Sequence, residues 1–170
     1  LSGLLEADSG SIIFNGKSVE KIPSSLREKI GYISQNSIIL DDTIKNNVIF
    51  GDEKIDEQKF REVLEISGLL KVFKNIDEKI SLGEEGSQIS GGQKQRINIA
   101  RVLYKNPEFI LMDEPTSALD KENEDEILDS IFNIFKDKTI LFVTHKKENL
   151  KFVDKIHEIL DKKIILDSNS

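Results

Sequence analysis

The residues best suited to chemistry lie at the start of one helix and at the ends of two short apolar runs. Ile89-Ser90-Gly91-Gly92-Gln93 stands directly before a segment of helical pattern, residues 93–104. Ser90 and Gln93 fit a capping box, in which the serine oxygen and the glutamine side chain satisfy two orphan backbone amides reciprocally. Two adjacent glycines in a first helical turn cost about 1 kcal/mol each relative to alanine, and capping alone gives no reason to accept that. Bare N–H groups at the positive end of a helix, with a serine hydroxyl beside them, suit a bulky anion such as a phosphate. Further on, Phe109-Ile110-Leu111-Met112 ends in Asp113-Glu114-Pro115. Two carboxylates at the carboxyl end of a buried parallel strand stand where open α/β sheets bind ligands, and Pro115 stops the strand there. Asp113 in that place can hold Mg²⁺, directly or through water, and Glu114 can face an attacking water as general base; the plain alternative is a polar turn. The next apolar run, residues 140–143, ends in Thr144-His145 and brings an imidazole to a neighbouring strand end. A lone histidine is usually a surface or core residue, but this one joins an acid pair.

These groups need a scaffold, and the composition limits which. The chain has 170 residues, enough for one domain, with 38% hydrophobic and 32% charged residues, which suits a folded globular unit. Its 24 basic and 31 acidic residues leave a net charge of −7, so there is no basic excess for a nucleic-acid backbone, and nucleic acid is not an expected partner. The lack of cysteine excludes disulfides, zinc ribbons and thiol catalysis. No apolar run approaches the roughly 20 residues that span a bilayer.

Residues 11–14 read as a strand closed by Asn15-Gly16, a hairpin-turn pair, and residues 30–34 as another strand. A short helix entered through Pro23 and Ser24 lies between them. Residues 56–69 have helical spacing with Phe60, Val63 and Leu64 on one face and Gly68 near the end; residues 121–137 do so with Ile127, Leu128, Ile131, Phe132 and Phe135. Four-residue apolar strands at 109–112 and 140–143, separated by an amphipathic helix, predict buried strands of a parallel sheet covered on both faces, hence an α/β fold. Residues 155–166 read as an edge hairpin around Asp161-Lys162-Lys163. The acidic run from Glu122 to Glu126 reads as a solvated helix start and His157 as an exposed strand residue.

The series Gln35, Ser90-Gly91-Gly92-Gln93, Asp113-Glu114, Ser117-Ala118-Leu119-Asp120 and His145, in this order and at these separations, resembles an ATP-binding cassette (ABC) nucleotide-binding domain over nearly the whole chain. The resemblance implies a P-loop NTPase (RecA-like) core with a parallel sheet flanked by helices. It also implies an inserted α-helical subdomain, at approximately residues 52–105, carrying the Ser90-Gly91-Gly92-Gln93 signature. On this reading residues 1–170 form a partial domain whose N-terminal strands are missing. Gln35 would reach Mg²⁺ and the water and sense a transmembrane partner, and Asp113 would hold Mg²⁺. Ser90, Gly91, Gly92 and Gln93 would meet the ATP held by an opposite protomer. Glu114 would be the catalytic carboxylate, His145 the switch on the γ-phosphate, and Asp120 a dimer-interface residue beside the nucleotide. Gln35 also reads as an ordinary strand-end amide, and Asp120 as the N-cap of the following helix.

Gly83-Glu84-Glu85-Gly86 and Thr43-Ile44-Lys45-Asn46-Asn47 with Gly51 resemble exporter segments. Ile89 stands for the usual leucine, Lys146 follows His145 where exporters commonly have arginine, and Val143-Thr144-His145 looks more like importers. The implied protein is an ATP-hydrolysing motor of an exporter or lipid-linked flippase. It would pair head to tail with a second nucleotide-binding domain and be fused to upstream membrane helices at the cytoplasmic face of the inner membrane. Alternatives are a soluble cassette ATPase of translation or DNA repair, and a non-catalytic module. Gly16-Lys17-Ser18 is not expected to be the phosphate loop, because the pattern needs glycine at position 11, where Ser11 stands; the resemblance places that loop upstream of Leu1.

Overall fold

The structure, a computed structural model, describes residues 8–14, 16–19, 23–51, 54–73 and 81–167. Strands β1 (Ile12–Phe14) and β2 (Lys17–Val19) pair antiparallel, with Phe14 opposite Lys17. Gly16 turns the chain at a φ of 75°, while Asn15 lies outside the described residues. Lys17 thus begins a strand, as the hairpin reading requires, and is no part of a phosphate loop. Helix α1 (Ser24–Arg27) starts after Pro23 at the N-cap, where a fixed φ is compatible with helix entry.

Strand β3 (Ile30–Ile33) belongs to the parallel sheet. Three helices follow it: α2 (Ile44–Ile49), capped by Thr43; α3 (Glu57–Ile66), capped by Asp56; and α4 (Leu69–Val72). Residues 56–69 were expected to form one helix, but the run breaks at Ser67-Gly68, where Gly68 takes a φ of 68°. The break makes room for Arg96, since a Cβ on Gly68 would overlap the guanidinium. Buried Arg96 donates to the Ser67 carbonyl at 3.1 Å.

Helix α5 (Gly91–Lys105) leads into β4 (Phe109–Asp113), α6 (Lys121–Ile134) and β5 (Thr139–Val143). The strands run parallel in the order β3-β4-β5, with Ile33, Met112 and Phe142 in one row. A Cβ on Gly31 would come within 2.6 Å of Pro107 and 2.7 Å of Val102, so only glycine lets β3 lie this close to the end of α5. Helix α6 stops three residues before the expected 137, yet Phe135, just beyond it, is still buried. The core joins Ile33, Ile110 and Met112 of the sheet to Val48, Phe60, Leu64, Ile97, Ile99, Leu103, Ile127 and Ile131 of the helices.

One expectation fails here. Residues 140–143 do not form a buried strand: Ile140 and Phe142 pack on the core, but Leu141 and Val143 are 42% and 52% exposed. Strand side chains alternate between faces, and β5 is the edge of the described sheet, so the outward row of Tyr32, Leu141 and Val143 stays half open among the described residues. Strands β6 (Ile156–Leu160) and β7 (Lys163–Asp167) form a separate antiparallel hairpin. It is turned by Asp161 and Lys162, both left-handed as a type I′ turn requires, and His157 is exposed on it.

Candidate functional site

Strand register explains why three of the candidate residues meet. With Ile33, Met112 and Phe142 in one row, the chain two or three residues further on each strand emerges at the same end of the sheet. Gln35, Glu114 and His145 occupy those places. Glu114 Oε1 lies 2.6 Å from His145 Nδ1, and Gln35 Nε2 donates to Glu114 Oε2 at 3.2 Å. An ionised carboxylate only accepts, so in this pairing the proton lies on Nδ1, leaving Nε2 as the ring's second hydrogen-bonding atom. The His145 side chain is 68% exposed and that of Glu114 26%, so the group can be reached from solvent.

Glu114 holds its position through an unusual backbone. Its φ is 45°, a left-handed conformation in a non-glycine residue directly before proline, which costs on the order of 1–3 kcal/mol. Its N–H donates to the Val143 carbonyl at 3.1 Å, which ties the turn after β4 to the end of β5. Asp113 stands apart from this trio. Tyr32 Oη approaches its Oδ2 at 3.5 Å, too long to be a strong hydrogen bond. Partial burial, together with the Asp113 carboxylate, raises the half-exposed Tyr32 phenol above its ordinary pKa.

A second group forms around the start of α5. The capping box is complete: Gln93 N–H donates to Ser90 Oγ at 3.3 Å, and Ser90 N–H donates to Gln93 Oε1 at 2.8 Å. Gly91 and Gly92 make up the first turn, and here the structure sharpens the reason for glycine. A Cβ on Gly92 would sit 3.2 Å from Leu119 Cδ2, a tight approach that the leucine would have to yield to by a few tenths of an ångström, and 3.5 Å from the Ala118 carbonyl, an ordinary contact, so packing against the 117–120 loop favours a bare backbone there. A Cβ on Gly91 would meet only Ala118, at an ordinary 3.7 Å, and packing leaves that glycine unexplained. Asp120 caps α6, accepting from the Asn123 amide at 3.1 Å and from Asn123 Nδ2 at 2.7 Å. These bonds from Asn123 hold its carboxyl below the ordinary range. Asn123 in turn accepts from Arg96, which links α5 to the cap of α6. The backbone joins this second group to the first, Ser117 N–H donating to the Glu114 carbonyl at 3.2 Å, while the side-chain bonds of Gln35, Glu114 and His145 given above stay within their own trio.

Two features escaped the sequence reading. Glu124 is not solvated: it is buried, accepting from Thr116 Oγ1 at 2.6 Å and Asn149 Nδ2 at 3.0 Å, and pairing with Lys146 Nζ at 2.7 Å. Burial pushes its carboxyl up, and the bonds from Lys146, Thr116 and Asn149 outweigh that and leave it lowered. Its neighbours Glu122 and Glu126 are exposed, so nothing in the acidic run itself marks Glu124 as different. The second is Asn47, fully buried, whose side chain bonds Leu40 N–H at 2.8 Å and the Leu40 carbonyl at 3.1 Å. Arg101 of α5 donates to the carbonyls of Asn47 at 2.8 Å and Ile38 at 3.0 Å, so α5 braces the segment that follows Gln35.

An open depression of about 560 Å³ on α3 and α4, lined by Phe60, Arg61, Leu64 and Leu70 among others, contains none of the candidate residues. For a magnesium ion the donor chemistry fits. Glu114 offers hard carboxylate oxygens with the Gln35 amide on one of them, Asp113 offers a second carboxylate one residue earlier at the strand end, and Mg²⁺ ordinarily takes only one or two protein carboxylates, the rest being water and phosphate. No all-protein cage of three or more acidic or histidine side chains exists among the described residues.

Known proteins show the family and the fold. A Rickettsia typhi protein whose name describes it as an export ATP-binding/permease protein is 36% identical over 161 residues, 93% of this chain and 28% of that protein. A Staphylococcus aureus protein named as a multidrug export ATP-binding/permease protein is 34% identical over 154 residues, 89% of this chain and 27% of its own length. The structure of a bacterial Atm1-family ABC exporter with ATP bound superposes with a TM-score of 0.81 at 29% identity, covering 88% of this chain and 27% of that one. The chain thus spans between a quarter and a third of the length of these relatives, and its fold is that of an ABC exporter's P-loop NTPase core. The ABC transporter profile matches residues 1–117, more than half of the sequence, and the chain belongs to that family.

Proposed function

We propose that this chain is the ATP-hydrolysing motor part of an ABC exporter. It pairs head to tail with a second nucleotide-binding domain and works at the cytoplasmic face of the inner membrane, joined to a membrane domain. The observation that carries this reading is the meeting of Gln35 and His145 on the two oxygens of Glu114. The names of the relatives support export and a permease partner.

ATP is the substrate, and water splits it to ADP and phosphate. Glu114 orients the attacking water and accepts its proton, at a carboxylate kept partly out of bulk solvent. The contact to Glu114 fixes the His145 ring, so that the imidazole is aimed at the γ-phosphate rather than sampling rotamers. Gln35 holds the other carboxylate oxygen and, through the segment braced by Asn47 and Arg101, passes motion toward the membrane domain. Asp113 and Gln35 are the residues that would hold Mg²⁺, which when bound would supply neutralisation of developing phosphate charge. Ser90, Gly91 and Gly92, backed by Gln93, present helix N-terminal amides to the nucleotide of the opposite protomer. Asp120 stands at the same interface. The helices within residues 52–105 move as the subdomain that carries this signature.

The test replaces Glu114 by glutamine in the protein as its gene encodes it. Glu114→Gln is expected to keep ATP binding and to lower turnover by at least about a hundredfold, the scale of losing a general base. Unchanged turnover would remove Glu114 from this role.

A further inference from the structure

We propose that Glu124 is a positioning residue for ATP hydrolysis: one buried carboxylate fastens the loop that carries His145 to the loop that carries Glu114. The inference rests on the ATPase reading above and goes beyond it, because Glu124 touches none of the reacting groups named there.

Strand β5 ends at Val143, and the next turn of 3₁₀-helix begins at Lys147, so His145 sits on a connection without ladder hydrogen bonds of its own. Within the connection, Lys146 N–H donates to Thr144 Oγ1 at 3.1 Å and Asn149 N–H to the Lys146 carbonyl at 3.1 Å. These bonds are local and do not hold the segment against the sheet or helices. Besides the His145–Glu114 contact itself and an exposed Lys121–Glu148 pair at 4.0 Å, two side-chain bonds do so and both end on one buried residue: Lys146 Nζ reaches Glu124 Oε2 and Asn149 Nδ2 reaches Glu124 Oε1. From the other side comes Thr116, 2% exposed and two residues beyond Glu114, which donates to the same Oε1. A small cleft is lined by both ends of this bridge, Glu114 and His145 as well as Thr116, Glu124, Lys146 and Asn149.

The chemistry of the pair argues for geometry rather than bulk stability. The Glu124 side chain is 5% exposed and Lys146 28% exposed, and a largely buried ion pair can often be replaced by apolar residues with no loss of stability. An ion pair with two further hydrogen bonds does what an apolar contact cannot: it fixes the distance and angle between two loops. The neighbouring His145 side chain is itself mostly exposed, so little packing holds its ring 2.6 Å from Glu114. Loosening that loop changes the catalytic pair without touching the signature helix.

The test uses Glu124→Gln, Lys146→Met, Lys146→Arg and the Glu124→Gln/Lys146→Met double variant in the protein as its gene encodes it, beside Glu114→Gln as reference. Glu124→Gln and Lys146→Met are each expected to lower kcat about tenfold or more, the scale of a misplaced catalytic group, with KM for ATP within about twofold. The double variant should be no slower than the slower single one, Lys146→Arg should keep kcat within about twofold, and backbone exchange across residues 144–149 should quicken in both single variants. Unchanged kcat in Glu124→Gln, or additive losses in the double variant, would overturn the inference. If Glu124→Gln does not fold, Lys146→Met decides alone, its site being partly open to solvent. Should Glu114→Gln abolish turnover while Glu124→Gln leaves it intact, only this inference falls; if Glu114→Gln leaves turnover intact, the ATPase reading falls with it.

Discussion

Glu114 accepts a left-handed backbone that its side chain does nothing to favour, and the compensation lies in neighbours that hold it there: the Val143 carbonyl, Gln35 and His145. Strain kept at one residue and offset by its surroundings is typical of sites where orientation matters more than stability. Glu124 shows the same economy differently, since its three donors offset the burial of its charge. Thr116→Val keeps the shape but leaves one lone-pair direction of Glu124 without its hydroxyl, which should cost about 1–3 kcal/mol in urea unfolding. The pH dependence has a definite sign. The Glu124 carboxyl is lowered on folding by Lys146, Thr116 and Asn149 against the effect of burial, so the unfolded chain takes up its proton first as pH falls. The stabilisation is present above the ordinary glutamate value of about 4.3 and is lost as pH drops through the lower folded value. Glu124→Gln should therefore flatten the acid limb of a stability-against-pH curve below about pH 4.3, and a curve as steep as the parent's would contradict this.

Among the elements, helix α5 does the most positioning. Its first turn is the capped signature, Arg96 ties its middle to Ser67 and Asn123, and Arg101 braces the segment after Gln35. The Arg96 seat depends on Gly68, at a φ of 68° with the guanidinium where a Cβ would go. Gly68→Ala is expected to destabilise by more than about 1 kcal/mol, combining backbone strain with a displaced buried charge, and calorimetry would register it as a lowered Tm. Much of this was legible from residue order. Periodicity located α3, α5 and α6, and the Ser90–Gln93 spacing stated its own cap, because both are local properties of the chain. Exposure of β5 was not legible, since Leu141 and Val143 are as apolar as the buried residues between them and only the neighbouring layers decide which face is covered. Glu124 was hidden for a similar reason: its partners at 116, 146 and 149 come together only in the fold. Glu114 and His145 are legible from their places at neighbouring strand ends and Gln35 only through family resemblance; the contact of the three follows from parallel register, which single-strand patterns do not encode.

At the scale of the whole molecule, the candidate residues fall into two groups, one around Glu114 and one around Ser90, joined through the backbone where Ser117 N–H donates to the Glu114 carbonyl. If two copies pair head to tail, each nucleotide lies between the Glu114 group of one copy and the signature of the other. Gly91→Asp suits a test of this, because an aspartate in the first turn favours the helix, ordinary contact distance to Ala118 leaves space for a Cβ, and the added charge repels phosphate. Mixed dimers can then be made in two arrangements. With Glu114→Gln on one copy and Gly91→Asp on the other, both defects fall in one composite site and the second site is intact. With both changes on the same copy, each site carries one defect and neither is whole. ATP turnover should therefore be higher in the separated arrangement. The reverse order would mean that the signature serves the nucleotide of its own chain, and head-to-tail pairing would have to be given up.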